Sequence, residues 1–344
     1  MKLTVEQYTG SAGEWDAFGR RQRGWTHYHG AGWGDVIRET LRHPWIPLVA
    51  RGSDGAIAGI LPLVRVRTPL FGRYLVSMPF LNYGGPLGSD DAVRALSLAA
   101  AEEADREKAK LLELRSGIEL PLTLPVSHRK ITVVLPLPAR GETEAAWKAL
   151  GTKLRAQVKR PQKEGVTVRF GPDQVDPFYE VFARHMRDLG TPVLPRRFFR
   201  AIASRFGEEA WFGCAWLGGR PIAAGAGFRW ADEFEMTWAS ALTEWNRIAP
   251  NMALYWSFIE RAVNEGVARF NFGRCTPGGG THRFKRQWGA EDEPLWWYQH
   301  VPGGGDAATP SPDDGAYAWG PRLWKRLPLR LATALGPSIV RGIP

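Results

Sequence analysis

RFNFGRCTPGGGTHRFKRQWG, residues 269–289, is the stretch that decides the fold of the second half of the chain. Its first residues alternate between apolar and polar side chains, which predicts a short buried strand that ends at Gly273. The segment Pro277–Gly280 can continue neither a helix nor a strand ladder, so a turn is expected there. The basic residues after the strand are Arg274, His282, Arg283, Lys285 and Arg286. Cations held by a glycine loop at the end of a strand are suited to stabilising an anionic group beside a reacting carbonyl.

Lys285 is the strongest single candidate for catalysis in this stretch. Its neighbours Phe284 and Trp288 predict partial burial, which separates it from an ordinary surface lysine. Arg274 is the second candidate because ligands of open α/β sheets lie at the carboxyl ends of strands, although a structural salt bridge is equally compatible with its position. Nucleophilic catalysis by Cys275, with His282 near it in sequence, is a further alternative.

Composition is that of a globular protein long enough for two domains. The chain has 344 residues, of which 44% are hydrophobic and 23% are charged. The net charge is +10, but five cations lie in the last 28 residues, which contain no acidic residue. The rest of the chain therefore gives only a weak argument for nucleic-acid binding. Two cysteines imply neither a disulfide framework nor a cysteine metal site, and no metal is expected. The absence of a signal peptide or a long apolar run favours the cytosol.

The two halves of the chain share one order of elements. The first half predicts helix Trp33–Leu41, strands Pro47–Arg51, Ile57–Val66 and Tyr74–Pro79, helix Asp91–Ala109 and strand Lys110–Leu114. The second half predicts helices Asp176–Leu189 and Arg196–Phe206, strands Ala210–Leu217, Pro221–Trp230 and Glu233–Ala241, helix Asn251–Asn264 and strand Val267–Phe272. This repetition predicts a duplicated α/β unit with a mixed sheet.

Two basic segments have alternative interpretations. The helix predicted over Glu142–Glu164 places Arg155, Lys159 and Lys163 on one face, where they either form a solvated face or bind a phosphate. Pro161 is expected to kink or end this helix. Residues 303–316 read as a flexible linker, and residues 317–344 as a basic amphipathic tail. The tail either lies on an anionic membrane surface or packs back onto the protein.

Two further regions supply candidate substrate contacts. The loop NYGGP places Asn82 and Tyr83 beside a tight turn and is a possible pocket wall. The strand TWASA, which contains Trp238, leads into the loop NRIAPN and a helix whose N-terminus could bind phosphates. Asn251 is equally suited to capping that helix.

Several stretches carry a family resemblance. They are KLRAQVKRPQKEGV (153–166), FYEVFARHMRDLGTPV (178–193), PNMALYWSFIERAVNEG (250–266), FNFGR…GGGTHRFKRQWG (270–289), HYHGAGW (27–33) and GILPLVRVRTPLFGRYLVSMPFLNYGGP (59–86). Together they resemble the FemAB-like acyltransferases, which belong to the broader GNAT-like fold. The tail WKRLPLRLATALGP (324–337) is similar to the subgroup associated with exosortase and exopolysaccharide gene clusters.

The resemblance implies an α/β (α+β) fold of two tandem GNAT-like domains, each with a mixed, largely antiparallel sheet flanked by helices. The expected domains are residues 1–141 and 166–302, joined by a basic helix over 142–165. Phe284 and Lys285 match the family's FK pair, in which the lysine supplies positive charge near the reacting ester. The catalytic residues expected are Lys285 and Arg274. The substrate-binding residues expected are Phe284, Tyr83, Asn82, Arg155, Lys159, Asn251, Tyr255, Trp238 and His282.

The function implied is N-acyl transfer to an amine of a cell-envelope or exopolysaccharide precursor. No cofactor is expected to stay bound, and the co-substrate is either aminoacyl-tRNA or acyl-CoA. The loop Glu244–Asn251 lacks the glycine pattern that holds CoA in ordinary GNAT enzymes, and the chain lacks the coiled-coil insertion of some tRNA-using members. The alternatives are an acyl-CoA-dependent N-acetyltransferase and a non-catalytic envelope-assembly protein. The partners expected are the amine precursor, charged tRNA and an anionic membrane surface, which would place the chain on the inner face of the membrane.

Overall fold

The secondary structure alternates between strands and helices along both halves of the chain. The computed structural model describes residues 3–68, 71–305 and 319–343. The strands are β1 (Thr4–Gln7), β2 (Trp45–Arg51), β3 (Ile57–Thr68), β4 (Gly72–Ser77), β5 (Leu87–Gly88), β6 (Leu111–Ser116), β7 (Val126–Ser127), β8 (Ile131–Pro136), β9 (Thr167–Phe170), β10 (Ala210–Leu217), β11 (Arg220–Trp230), β12 (Glu233–Ala241), β13 (Arg269–Cys275), β14 (Glu291–Pro294) and β15 (Trp296–His300). The helices are α1 (Ala12–Gly19), α2 (Gly32–Leu41), α3 (Asp90–Arg106), α4 (Thr143–Ala149), α5 (Thr152–Lys163), α6 (Val175–Leu189), α7 (Arg196–Phe206), α8 (Pro250–Asn264), α9 (Gly280–Arg286), α10 (Trp319–Trp324) and α11 (Leu329–Val340).

These elements build two units, each around one sheet. The first unit contains the described residues of 1–130, 294–317 and 338–344, and the second those of 131–293 and 318–337. The first sheet has the order β1-β2-β3-β4-β6-β15-β7, with β5 on β3, and the second has the order β14-β8-β13-β12-β11-β10-β9. Both sheets are mixed and largely antiparallel, as the sequence predicts.

Each sheet contains one parallel pair joined through a helix. In the first unit β4 leads through α3 to its parallel neighbour β6, and in the second β12 leads through α8 to β13. Parallel neighbours need such a crossover, because the chain leaves one strand at one end of the sheet and must return to the opposite end to begin the next strand. The repeated strand–helix–strand unit is the structural basis of the rhythm seen in the sequence.

The boundaries of the two units differ from the domains expected at residues 141 and 302. β8 belongs to the second sheet, where it pairs antiparallel with β13, and β15 belongs to the first sheet, where it pairs with β6. Each strand therefore completes the sheet that lies on the other side of the expected boundary. Alternating hydrophobicity predicts that a segment is a strand but does not say which sheet it joins.

Two helix predictions were wrong in detail. The single helix expected over Glu142–Glu164 is two helices, α4 and α5, separated at Leu150–Gly151, where glycine lacks helix propensity. Pro161 lies in the last turn of α5, which ends two residues later. Asn251 does not cap α8. The cap is Ala249, in the left-handed region at φ +53°, and Pro250 occupies the first helical position that proline favours.

The tail packs on the protein over its described residues. Ala332 is buried, and Gly336 lies so close to Val193 that an added Cβ would approach its backbone nitrogen to 2.9 Å. Packing back onto the protein is thus observed for the face of α11 that contains Ala332 and Gly336. Most of the expected linker, 306–316, lies outside the described residues. Among the described helices, none is both long and apolar enough to cross a membrane.

Candidate active site

The two parallel strands of the second sheet, β12 and β13, stop pairing part-way along their length, and we call this gap in their pairing the cleft. β12 and β13 pair only at three positions, Glu233–Glu235 with Arg269–Asn271. Both strands nevertheless continue, β12 to Ala241 and β13 to Cys275. Where neighbouring strands stop pairing, their backbone N–H and C=O groups need other partners, such as water or a ligand.

Irregularities in the flanking pairs show why the strands part. The register of β11 against β12 shifts between Ala226 and Phe228. A Cβ on the intervening Gly227 would lie 2.0 Å from the carbonyl oxygen of Glu235, so only glycine permits this approach. The register of β8 against β13 shifts at Gly273, whose φ of +72° favours glycine. Each β-bulge bends its strand and so directs the two strands apart.

The buried Asn271 side chain fixes the bend in β13. Its Oδ1 atom accepts hydrogen bonds from the Gly273 backbone N–H at 2.8 Å and from the Thr132 hydroxyl. Its Nδ2 atom donates to Glu233 Oε1 at 2.8 Å. Burial raises the pKa of Glu233, against the hydrogen bonds from Asn271 and Arg269. The network connects Glu233 and Asn271, which lie where β12 and β13 pair, to Gly273, which lies where they do not.

Lys285 lies on α9, the short helix after the glycine turn, and is buried at 4% exposure. Its ammonium donates to the carbonyl oxygens of Gly273 at 2.6 Å and Arg274 at 2.9 Å. These bonds hold a cation against the part of β13 that leaves β12. Burial lowers the pKa of Lys285 to about 8, while electrostatic interactions with Cys275 and Glu235 oppose that shift and the Arg274 charge adds to it.

Glu235 is a residue that the sequence reasoning missed. It is fully buried at the last position where β12 pairs with β13, and its Oε1 atom accepts a hydrogen bond from Thr237 Oγ1 at 3.3 Å. Its charge raises the pKa of Lys285 and so favours the ammonium form. The available signal was an acidic residue in the middle of a strand that is central in the sheet, where burial of a charged group is costly.

Aromatic side chains cover the same region. Tyr255 of α8 lies 4.9 Å from Phe284 and 5.6 Å from Phe272, measured between ring centroids, and 6.1 Å from Trp288. Burial raises the pKa of Tyr255 above its ordinary value, so its phenol stays neutral. The predicted residues Phe284 and Tyr255 therefore form an apolar wall next to Lys285, and such walls exclude water from a reacting group.

His282 closes the glycine turn. Its Nδ1 atom accepts a hydrogen bond from the Gly278 N–H at 3.0 Å, and its Nε2–H faces Asp292 at 2.9 Å. Arg274 is half-buried, and its carbonyl oxygen is one of the two that bind Lys285. Both residues thus lie around Lys285, as the sequence suggested, although His282 is occupied in holding the turn.

The other predicted residues lie elsewhere. Trp238 packs against Phe199 at 5.2 Å and Phe228 at 5.9 Å. On α5, the Arg155 guanidinium donates to Thr152 Oγ1 at 3.4 Å, and Lys159 Nζ lies 5.5 Å from the ring of Trp147. Asn251 is the second residue of α8.

Asn82 and Tyr83 belong to the first unit. Both are buried, and the ring of Tyr83 stacks on Tyr28 at 5.8 Å. Within the second unit, the structure therefore brings together Lys285, Arg274, Phe284, Tyr255 and His282, and it does not add Trp238, Arg155, Lys159 or Asn251 to this cluster. Within the described ranges, no group of three or more His, Cys, Asp or Glu side chains could hold a metal.

Comparison with known proteins identifies the region that contains this cleft. Residues 150–286 match the model of the acetyltransferase (GNAT) domain family. This part of the chain is therefore similar to a GNAT-type acetyltransferase domain. The matched residues run from α5 to α9 and so include Lys285, Glu235 and both parting strands. This match confirms the predicted class of enzyme, an acyltransferase.

Solved structures show the same fold over most of the chain. FemX is 14% identical with a TM-score of 0.65, over 85% of this chain and 97% of FemX. The C-terminal domain of an Agrobacterium fabrum protein assigned as a lysylphosphatidylglycerol synthetase is 14% identical with a TM-score of 0.56, over 86% and 93%. A tandem GNAT protein from the clavulanic acid biosynthesis pathway is 12% identical with a TM-score of 0.50, over 89% and 100%. No curated protein sequence matches the chain. These likenesses confirm the expected tandem GNAT-like, FemAB-like fold.

Proposed function

We propose that the chain transfers an acyl group from an activated carbonyl to an amine, with the carbonyl bound in the cleft between β12 and β13. The observation that carries this proposal is a buried cation, Lys285, hydrogen-bonded to the strand that leaves the sheet. The surrounding residues belong to a GNAT-type domain. A preorganised positive charge in a site that excludes water is an effective means of stabilising an oxyanion.

The reaction follows from this geometry. The amine nitrogen attacks the carbonyl carbon, and the carbonyl oxygen becomes an anion as the C–N bond forms. The intermediate then collapses, the bond from carbon to the leaving sulfur or oxygen breaks, and the amine proton neutralises the leaving group. Lys285 uses two of its three N–H donors on backbone carbonyls, so its charge is already in place before the anion develops.

Glu235 and Arg274 set the protonation of Lys285 in this proposal. Lys285 is mostly an ammonium below its pKa of about 8. The Glu235 charge stabilises that form, whereas the Arg274 charge disfavours it. Glu235 is thus a positioning residue whose effect on the reaction passes through Lys285. The activity is expected to decline as the pH rises above the pKa of Lys285.

Acyl-CoA is the donor that we place first, because the matched family model is that of an acetyltransferase domain. The chain enters α8 directly after the unpaired end of β12 and the 3-10 turn Thr243–Ile248. No side chain caps the first turn of α8, a helix of 15 residues. Unused N–H groups at such a helix start can bind the phosphates of CoA without a glycine-rich loop.

Aminoacyl-tRNA is the second candidate donor, and the surface of α5 favours it. Lys153, Lys159, Arg160 and Lys163 are all exposed on this one helix. Cations on a helix face attract a nucleic-acid backbone, and binding through them weakens with salt. The resemblance to FemAB-like proteins supports an acceptor amine on a cell-envelope or exopolysaccharide precursor, used on the cytoplasmic side of the membrane.

The experiment supplies each donor in turn. The purified chain is incubated with labelled acetyl-CoA or with charged tRNA, each against lipid-linked and sugar-amine acceptors, and amide products are measured by mass spectrometry. The proposal expects an amide from at least one donor, and acetyl-CoA should also raise the melting temperature. A product from charged tRNA alone would select the second candidate. Absence of product from every donor and acceptor, in a chain that binds neither donor, would favour the non-catalytic assembly role instead.

A further inference from the structure

The tail carries a set of exposed leucines. Leu323 on α10 is 55% exposed, and Leu331 and Leu335 on α11 are 50% and 51% exposed. Leu331 and Leu335 are one turn apart and share a face of α11. Leu189, at the end of α6, is also exposed. It lies beside the tail, because its neighbour Gly190 approaches Pro321 closely.

The inner face of α11 is already occupied by the protein. Ala332 and Gly336 are buried, and Leu329, Thr333 and Pro337 line a cavity of about 820 Å³ in the second unit. The Arg187 guanidinium also donates to the Leu327 carbonyl oxygen at 3.1 Å and holds the segment between α10 and α11. The outer leucines are therefore presented by a helix that is anchored from behind.

The same segment is basic. Arg322, Lys325, Arg326 and Arg330 are all exposed, and Arg330 also lines the cavity beside α11. No salt bridge joins any of them to another residue in the part of the chain that the structure describes. Residues 317–344 contain no acidic side chain that could neutralise them. Leucines that remain exposed among unpaired cations are unusual on a protein surface that faces only water.

We infer that this surface, formed by Leu189, the four cations and the three tail leucines, docks the chain on an anionic lipid bilayer. The cations match the negative headgroups, and the leucines enter the boundary between headgroups and acyl chains. A nucleic acid would match the cations but not the leucines. This inference goes beyond the proposed acyl transfer, since docking requires no donor and no acceptor.

The test measures sedimentation of the full chain with vesicles of phosphatidylcholine, with and without phosphatidylglycerol. The chain is expected to bind the vesicles that contain phosphatidylglycerol, and to be released by high salt. The double variant Leu331→Ser/Leu335→Ser should weaken binding by about tenfold or more through lost apolar burial. The double variant Lys325→Glu/Arg326→Glu should weaken it by at least about 25-fold, at about fivefold for each cation.

Matched controls separate docking from general charge and hydrophobicity. Leu98→Ser removes a leucine that is 62% exposed in the first unit, and Lys153→Glu/Lys163→Glu changes the charge by the same amount on α5. Both controls should bind vesicles as the unaltered chain does. The inference is overturned if the chain ignores anionic vesicles, or if controls and tail variants lose binding equally. It is also overturned if the tail variants lower only self-association in ultracentrifugation or only tRNA binding. Circular dichroism confirms that each variant is folded, and none of these measurements depends on acyl transfer.

Discussion

Replacing Lys285 with Met should remove a pH-dependent penalty from the folded protein. The pKa of Lys285 is lowered from 10.5 to about 8 by burial. Between these values the unfolded chain keeps the proton and the folded chain has lost it. Since the unfolded state binds more protons there, stability rises with pH in that window because of Lys285. Below about pH 8 both states are protonated, and the cost of burying the ammonium is fully present.

The magnitude follows from the two pKa values. Their difference, 10.5 minus about 8, corresponds to roughly 3 kcal/mol of lost folding stability for the ammonium form, at 1.36 kcal/mol per pKa unit. Because the titration is incomplete at both ends, the change expected between about pH 7 and about pH 10 is roughly 2.5 kcal/mol. Methionine has a similar length but no proton to lose. The loss of the two hydrogen bonds to carbonyl oxygens is constant over this window and so does not alter the slope.

The assay is urea unfolding of the unaltered chain and of Lys285→Met at both pH values. The free energy of unfolding of the unaltered chain, minus that of the variant, should increase by roughly 2.5 kcal/mol from the lower to the higher pH. Titrations shared by both proteins cancel in this difference. A difference that stays constant would show that Lys285 titrates like a surface lysine, and the argument for a buried catalytic cation would fail.

Three further predictions concern the cleft and the first unit. The kcat/KM for amide formation should fall above about pH 8 as Lys285 loses its proton. Glu235→Gln should move that decline to lower pH, and Arg274→Gln should move it to higher pH. Coinciding pH–rate profiles of the three proteins would contradict this prediction. Asn271→Ala leaves the buried Gly273 N–H and Thr132 hydroxyl without their acceptor and should lower the free energy of unfolding by about 2–4 kcal/mol in urea titrations. A loss below about 1 kcal/mol would show that the bend in β13 does not depend on Asn271. Arg115→Met leaves the buried Glu113 carboxylate without the guanidinium that lies 2.8 Å from it. The free energy of unfolding should therefore fall by about 3–5 kcal/mol in urea titrations. An unchanged urea midpoint would refute the importance of that pairing.

Local patterns in the sequence were enough to place most elements. The strand predicted over Glu233–Ala241 has the observed bounds, and the helix expected from Asn251 starts one residue earlier. These elements are long and have clear periodicity, which is the information that a single sequence carries most reliably. The cluster around Lys285 was also predicted in part, because its members lie near one another in sequence or belong to the family's motif.

The parts that the sequence did not predict depend on distant contacts. The cleft exists because of bulges at Gly227 and Gly273, and a bulge is defined by the register of two strands rather than by one segment. Glu235 lies fifty positions before Lys285, so the effect of its charge becomes visible only when the strands and α9 are assembled. The choice of sheet for β8 and β15 has the same origin, since neither strand carries a local signal for its partner.

The rate of amide formation in Lys285→Met tests the central claim most directly. The comparison uses whichever donor gives product with the unaltered chain, at about pH 7, and takes Lys148→Met as the matched loss of an exposed lysine on α4. We predict that Lys285→Met lowers kcat by about 100-fold or more, as removal of a preorganised oxyanion-stabilising group does, while Lys148→Met leaves kcat unchanged. A folded Lys285→Met variant that turns over as fast as the control would show that the buried cation takes no part in the reaction.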